Sequence, residues 1–233
     1  MRHVRKSTYV MRELLAYRAV FVPWFKLRYW FFRWTRGVRV IDGYPDQTRD
    51  YSRTQSALTV SRIGWNSTFR TQRLIRLLDA VLSCKELSGQ SLREDARVLC
   101  IGPRGESELL LLRIFGFPNV EGIDLVSYSP LVRRMDMHHL DYDASQFDVI
   151  FASHSLGKAH DLSEVAKEII RVTRPGAYCV VADSINISCS EIARTPFSQG
   201  LLDFFEPFRD HLGEMFWQER LPDRFSTVFT IRK

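Results

Sequence analysis

The chain has 233 residues, 45% hydrophobic and 26% charged, which suits a globular protein with one sizeable core and excludes a low-complexity protein. The net charge of +6 is unevenly distributed, because residues 1–39 hold ten Lys and Arg side chains against one Glu. That segment therefore carries +9 and residues 40–233 carry −3. The basic character belongs to the N-terminus alone.

The four cysteines show no metal-ligand spacing, so we expect free thiols in a reducing compartment and no metal site. No secretory signal is evident. The longest apolar run, 19–25, contains Pro23 and is far shorter than the roughly 20 residues of a spanning helix. These features predict a cytoplasmic protein.

Residues 1–39 are predicted to form a basic, aromatic helical segment. A first helix covers 8–22 and ends at Pro23. A second covers 24–36, with one indole-rich face and one basic face. The indole-rich face holds Trp24, Leu27, Trp30, Phe31 and Trp34, and the basic side chains are Lys26, Arg28, Arg33 and Arg36.

This segment has three interpretations. The favoured one buries the indole-rich face against the rest of the chain, as a lid or a dimer arm, because an aromatic stripe is usually core. The second lays the helix on the inner face of an anionic membrane as a peripheral contact. The third, a grip on nucleic acid, has no recognisable binding module behind it, so we expect no nucleic-acid partner. The oligomeric state stays open, with a dimer as one option.

Residues 40–94 are predicted as a linker and a helix that caps the core, and a strand–helix alternation occupies 95–233. This alternation predicts an α/β fold: a Rossmann-like, doubly wound, mostly parallel sheet with an antiparallel C-terminal hairpin. The predicted strands are 97–101, 120–124, 133–137, 147–152, 178–183, 214–220 and 226–232. The predicted helices are 107–115, 161–172 and one around 201–208.

Ligands of such a sheet bind at the carboxyl ends of its strands. The turn Gly102-Pro-Arg-Gly105 follows the first predicted strand, and Asp124 ends the second. A carboxylate at that position can accept both ribose hydroxyl protons of an adenosine, although it can also cap the loop that follows. Asp136 and Met137 follow the third strand and complete the candidate edge.

These stretches, in this order, resemble class I S-adenosylmethionine-dependent methyltransferases of the methyltransferase 11 type, over about residues 96–183. The matching stretches are Val98–Gly102, Gly122–Asp124, Asp136–Leu140, Ser145–Ile150 and Glu168–Gly176. The resemblance implies S-adenosyl-L-methionine as cofactor. Each residue then has an implied place: Gly102 and Gly105 at the methionine part, Asp124 and Leu125 at the ribose, Asp136 and Met137 at the adenine, Ser153 and His154 at the sulfonium and the acceptor.

The chain departs from the family pattern in the opening turn. Cys100 replaces the usual acidic residue, and Arg104 and Glu106 replace two glycines. Glu106 is a candidate to restore the missing carboxylate, and Arg104 must point away from a cationic sulfonium.

We expect methyl transfer to a small-molecule or glycan acceptor, at oxygen or nitrogen, with His154 as the base. Asp148 is predicted to be structural, and Asp183 is either an acceptor-pocket or a turn residue. The other cleft histidines, His138, His139 and His160, are expected to be solvated loop residues.

Two alternatives remain. A nicotinamide-dependent oxidoreductase needs a G-x-G-x-x-G turn, which this chain lacks. A catalytically inactive, methyltransferase-like binding or scaffold module, associated with a membrane, is favoured by the altered turn and the basic helix.

Overall fold

The computed structural model describes residues 23–24, 26–37, 39–40, 95–103, 105–114, 116–184, 204–221 and 224–233. The predictions for 1–22, most of 40–94, Arg104 and 185–203 lie outside these residues. The described strands are β1 (Arg39–Val40), β2 (Val98–Ile101), β3 (Val120–Asp124), β4 (Val126–Ser127), β5 (Val132–Arg134), β6 (Phe147–Ser153), β7 (Thr173–Ser184), β8 (Leu212–Leu221) and β9 (Arg224–Ile231).

Seven of these strands form one sheet in the order β5-β3-β2-β6-β7-β9-β8, while β1 pairs with β4. Strands β5, β3, β2, β6 and β7 are parallel. β9 runs antiparallel to β7, and β8 antiparallel to β9. The predicted mostly parallel sheet with an antiparallel C-terminal hairpin is confirmed. Its switch point lies between β2 and β6, where the strand order changes direction.

Helices cover both faces of this sheet. α1 is residues 26–36, α2 is Glu106–Ile114 and α3 is Leu162–Val172. Asp161 caps α3 by accepting the Ser163 and Glu164 N–H groups at 2.8 and 3.2 Å. Alternate residues of β2 enter different clusters, Cys100 on the side of α1 and α2 and Leu99 on the side of α3, because successive strand side chains point to opposite faces.

Two strands differ most from the prediction, while the ends of the other predicted strands shift by at most two residues. The third parallel strand is Val132–Arg134 rather than 133–137, so Met137 lies in a turn. β7 begins at Thr173, because Thr173 already pairs with Phe147 of β6. Where the sequence indicates a break, φ of Gly176 is +80° and the register shifts before Tyr178 pairs with Val149. The described part of the predicted last helix is helical at 204–205 and continues as a 3₁₀ helix, Glu206–His211.

α1 packs on the sheet through the face opposite its indoles. Tyr29 is 1% exposed and contacts Tyr128 edge to face, with ring centroids 4.7 Å apart. Trp24, Trp30 and Trp34 are all exposed, from 42% for Trp24 to 86% for Trp34. The favoured prediction is therefore wrong in its lid form, an indole-rich face buried against the same chain, while its dimer-arm form stays a prediction. The reason is that Arg28, beside Tyr29, meets a buried carboxylate, and a buried charge requires a partner.

Candidate functional site

The predicted site residues lie at one edge of the sheet. Ile101 at the end of β2 pairs with Ile123 of β3 and with Ala152 of β6. Asp124 pairs with Arg134 at the end of β5, and Ser153 pairs with Ala182 of β7. The carboxyl ends of these parallel strands therefore meet, and bring together Gly102, Asp124, Leu125, Ser153 and His154, with Asp136 and Met137 just beyond β5.

Gly102 is held tightly between neighbouring strand ends. Its φ is +67°, a conformation that favours glycine, and its N–H donates to the Ile123 carbonyl oxygen at 2.8 Å. A Cβ at this position would lie 2.5 Å from the Ser155 Cβ. A Cβ at Gly105 would lie 2.8 Å from the Tyr128 hydroxyl oxygen. Close packing therefore requires glycine at both positions, in addition to the predicted approach of a ligand.

Ser155 is a candidate site residue that the sequence alone does not single out. Its Oγ is buried and has no hydrogen-bond partner among the described residues. Buried hydroxyls are almost always bonded, so an orphan beside the Gly102 turn fits a site that receives a polar ligand. Its only sequence signal is its position two residues after β6.

Asp124 is half-buried at the end of β3. Its Oδ1 accepts the Val126 N–H at 3.1 Å, so the carboxylate does cap the following loop. An ionised carboxylate has about four acceptor sites, so capping is compatible with binding a ribose as well.

Asp136 is oriented by a buried histidine. Its Oδ1 accepts the backbone N–H of His138 at 3.0 Å and lies 2.7 Å from His138 Nδ1. His138 Nε2 accepts the Asp161 N–H at 3.4 Å, which assigns the ring proton to Nδ1. Burial alone would raise the pKa of Asp136, but the hydrogen bonds from His138 hold that pKa below its ordinary value.

The prediction that His138 is a solvated loop residue is wrong, because only 4% of it is exposed. It positions Asp136 and joins the β5 end to the start of α3. His160 stacks on it with ring centroids 3.7 Å apart. His160 and His139 are exposed, as predicted.

A clamp from α3 holds the loop that follows Asp136 and Met137. Arg171 donates to the Leu140 and Tyr142 carbonyl oxygens, both at 2.7 Å. Glu168 accepts the Leu140 N–H at 2.7 Å and the Arg171 Nε–H at 2.8 Å. The Arg171 hydrogen bond lowers the pKa of Glu168 against the effect of burial. This clamp gives a physical role to the Glu-Ile-Ile-Arg run of the family pattern.

Asp183 holds the segment that follows β6. Asp183 is buried and its Oδ2 accepts the Gly157 N–H at 2.7 Å. It lies within β7 and is therefore not a turn residue, while its predicted alternative, a place in the acceptor pocket, stays a prediction. His154, half-buried, has φ +57° and donates its N–H to the Ala182 carbonyl oxygen at 2.6 Å. Asp148 is structural, as predicted, because it accepts Arg97 N–H at 2.9 Å and pairs with Arg174 at 2.7 Å.

Glu106, at the start of α2, is tied to α1. Its carboxylate is fully buried and forms a two-pronged pair with Arg28, with Nε–Oε2 2.6 Å and Nη2–Oε1 3.0 Å. Ser129 Oγ also donates to it. The hydrogen bond to Glu106 raises the pKa of Arg28, and burial followed by the Glu106 charge raises the pKa of Tyr128.

A different carboxylate, that of Glu108, lies close to Cys100. Glu108 Oε2 lies 3.7 Å from Cys100 Sγ, and both residues are buried. The expectation that Glu106 restores the acid lost at Cys100 is therefore corrected: Glu108 supplies a carboxylate there, while Glu106 binds Arg28.

A family model described as a methyltransferase domain matches residues 68–232. No curated protein matches the chain significantly. The PH0226 protein of Pyrococcus horikoshii OT3 has a similar fold, with TM-score 0.54 and 17% identity over 72% of this chain and 93% of that one. The [4+2]-cyclase SpnF also has TM-score 0.54, with 15% identity over 67% of this chain and 80% of that one.

A third similar structure is the protein described as a methyltransferase in its complex with the Trm112 methyltransferase activator of Haloferax volcanii. Its TM-score is 0.54, with 15% identity over 81% of this chain and 97% of that one. Such low identities show the fold alone. The family match covers most of the chain and begins ahead of the predicted boundary at residue 95. The chain belongs to the methyltransferase-domain family and has the class I fold that its sequence predicts.

Proposed function

We propose that this protein transfers a methyl group from S-adenosylmethionine to a small-molecule or glycan acceptor, at oxygen or nitrogen, in the cytoplasm. Membership of the family implies the cofactor. The observation that carries the proposal is the position of Asp124, whose carboxylate lies at the end of β3 beside the Gly102 turn, next to β2, the strand that borders the switch point of the sheet. Adenosine ribose is recognised by a carboxylate at such a place.

The other predicted residues take their roles around Asp124 and Leu125. The backbone at Gly102 and Gly105 faces the methionine part, and the buried Ser155 hydroxyl adds a polar group there. Asp136, oriented by His138, and the neighbouring Met137 border the adenine.

The cofactor supplies an electrophilic methyl group, and Ser153 and His154 lie where that group meets the acceptor. In this proposal His154 takes the proton that the acceptor oxygen or nitrogen loses. Histidine suits this step because its unperturbed pKa is about 6.5.

Isothermal titration with S-adenosylhomocysteine tests the cofactor site. We expect Asp124→Ala to weaken binding roughly 10- to 100-fold, because it removes charged hydrogen bonds to the ribose. Asp210→Ala is the matched control, since it removes an exposed carboxylate from the 3₁₀ helix and should leave the affinity unchanged.

Failure of the unaltered protein to bind, or equal affinities for Asp124→Ala and the control, would remove the proposed cofactor site. Binding without methyl transfer to any acceptor would instead support the predicted alternative, a binding or scaffold module.

A further inference from the structure

We propose that α1 docks this protein on an anionic phospholipid surface through its exposed face, called here the indole face: Trp24, Leu27, Trp30, Phe31 and Trp34. This inference deepens the predicted membrane contact of residues 1–39. It does not rest on the proposed methyl transfer, because it concerns where the chain binds and not what it catalyses.

The first argument is the exposure of this face. Leu27 is 69% exposed and Phe31 55%, and the three indoles flank them on the same side of the helix. The opposite side is occupied, because Tyr29 is buried and Arg28 is bound to Glu106. α1 is therefore fixed to the domain with its most apolar surface outward. Contiguous exposed apolar surface of this kind marks an interaction site.

The second argument is charge complementarity. Lys26, Arg33 and Arg36 belong to the same helix as the indole face, and the Arg33 guanidinium lies 5.5 Å from the Trp30 ring centroid. Indoles prefer the headgroup level of a bilayer, and basic side chains beside them attract anionic lipids. Among the described residues no helix is long and apolar enough to cross a bilayer.

The same charge argues against a second copy as the occupant. A segment with ten basic residues and one acidic residue repels its own copy. An anionic surface neutralises these positive charges, whereas a dimer through two indole faces would bring two sets of them close together.

Co-sedimentation of the full chain with phosphatidylcholine vesicles, with and without phosphatidylserine, tests the proposal. We expect binding to the phosphatidylserine vesicles only, and its loss at high salt. Replacing Leu27, Phe31 and Trp34 by Ser should abolish binding without changing the unfolding midpoint, because these side chains face solvent. Lys26→Gln with Arg36→Gln should weaken binding roughly 25-fold, at about fivefold for each charge.

Two matched variants serve as controls. Met215→Ser removes an exposed apolar side chain from β8, and Lys167→Gln with Arg232→Gln removes two exposed charges elsewhere. Both should bind vesicles like the unaltered chain. Absence of vesicle binding, or equal binding to neutral vesicles, would overturn the proposal. A dimer in solution that the three Ser substitutions dissociate would also overturn it. Binding of S-adenosylhomocysteine, measured separately on the same variants, distinguishes failure of the membrane proposal from failure of the proposed function.

Discussion

Two features constrain Gly102. Its backbone is left-handed, and a neighbouring side chain lies where a Cβ would be. The sequence attributes this glycine to the approach of a ligand, while the structure adds the Ser155 side chain as a reason for it. A single sequence cannot separate these reasons, because the residue that crowds Gly102 lies more than 50 positions away, in the loop after β6.

Gly102→Ala should lower the free energy of unfolding by about 2–5 kcal/mol, from the left-handed backbone and from overpacking against Ser155. Gly176→Ala is the control: its φ is +80° and no atom lies within 4 Å of the added Cβ. It should cost only about 1–2 kcal/mol. Urea denaturation measures both. Equal losses of unfolding free energy in the two variants would show that the contact with Ser155 is unimportant. The same would follow if the double variant Gly102→Ala, Ser155→Gly were no more stable than Gly102→Ala.

The sequence predicts the candidate site residues more completely than the residues that hold them in position. Asp124, Asp136 and His154 are predicted from strand ends and family spacing, and the structure places them at one edge of the sheet. Ser155 and the role of His138 are not predicted, because a buried hydroxyl and a buried imidazole look like loop residues until the chain is folded. Burial and partners are properties of the tertiary structure, and no local pattern carries them.

Among the elements, α3 does more than cover the sheet. Its Glu168 and Arg171 hold the loop behind Asp136 and Met137 by bonds to both N–H and C=O groups. Since the pKa of Glu168 is lowered in the folded chain, folding favours its ionised form. The clamp therefore contributes fully above the ordinary Glu pKa, about 4.3, and its contribution is lost as pH falls through the lower folded-state pKa.

Glu168→Gln should therefore reduce stability by about 1 kcal/mol at neutral pH, and this difference should shrink as the pH is lowered toward 3. Urea denaturation across this pH range measures it. Glu164→Gln, an exposed substitution on the same helix, is the control and should show no such convergence. A difference that stays constant with pH would contradict the clamp.

α1 shows a different kind of error at this scale. Its helical character, its amphipathic pattern and its end at Gly37 were predictable, and Gly37 indeed donates to the Arg33 carbonyl oxygen at 3.0 Å. Its orientation was not, because hydrophobicity alone assigns the indoles to the core. The buried Glu106 turns the opposite face of α1 toward the core, since only Arg28 supplies its counter-charge from that element.

For the molecule as a whole, the pair of Arg28 and Glu106 joins the basic N-terminal segment to the turn of the candidate site. Arg28→Ala should cost about 2–3 kcal/mol, because it leaves a buried carboxylate without its cation. Lys26→Ala, which removes an exposed charge from the same helix, should be nearly neutral. Arg28→Ala combined with Glu106→Gln should recover most of the loss. Denaturant unfolding decides this, and an unrecovered double variant would refute the pairing as its cause.

The overall architecture was the most predictable level. Alternating strands and helices, a closing hairpin and the position of the ligand edge all follow from hydrophobic periods and turn residues that repeat along the chain. The division at residues 39 and 94 remains a prediction, since most of the intervening segment lies outside the described residues.

The pairing pattern also bears on how the chain acquires its shape. β8 and β9 meet across a short connection, so their pairing needs little loop closure. β2 meets β6 only after β3, β5 and the segments between them have been traversed, as the pairing of Val98 with Val149 shows. Distant pairings of this kind form slowly. We therefore expect the cleft between these strand tips to form after the hairpin, so that a partly folded chain pairs β8 with β9 before the proposed adenosine site exists.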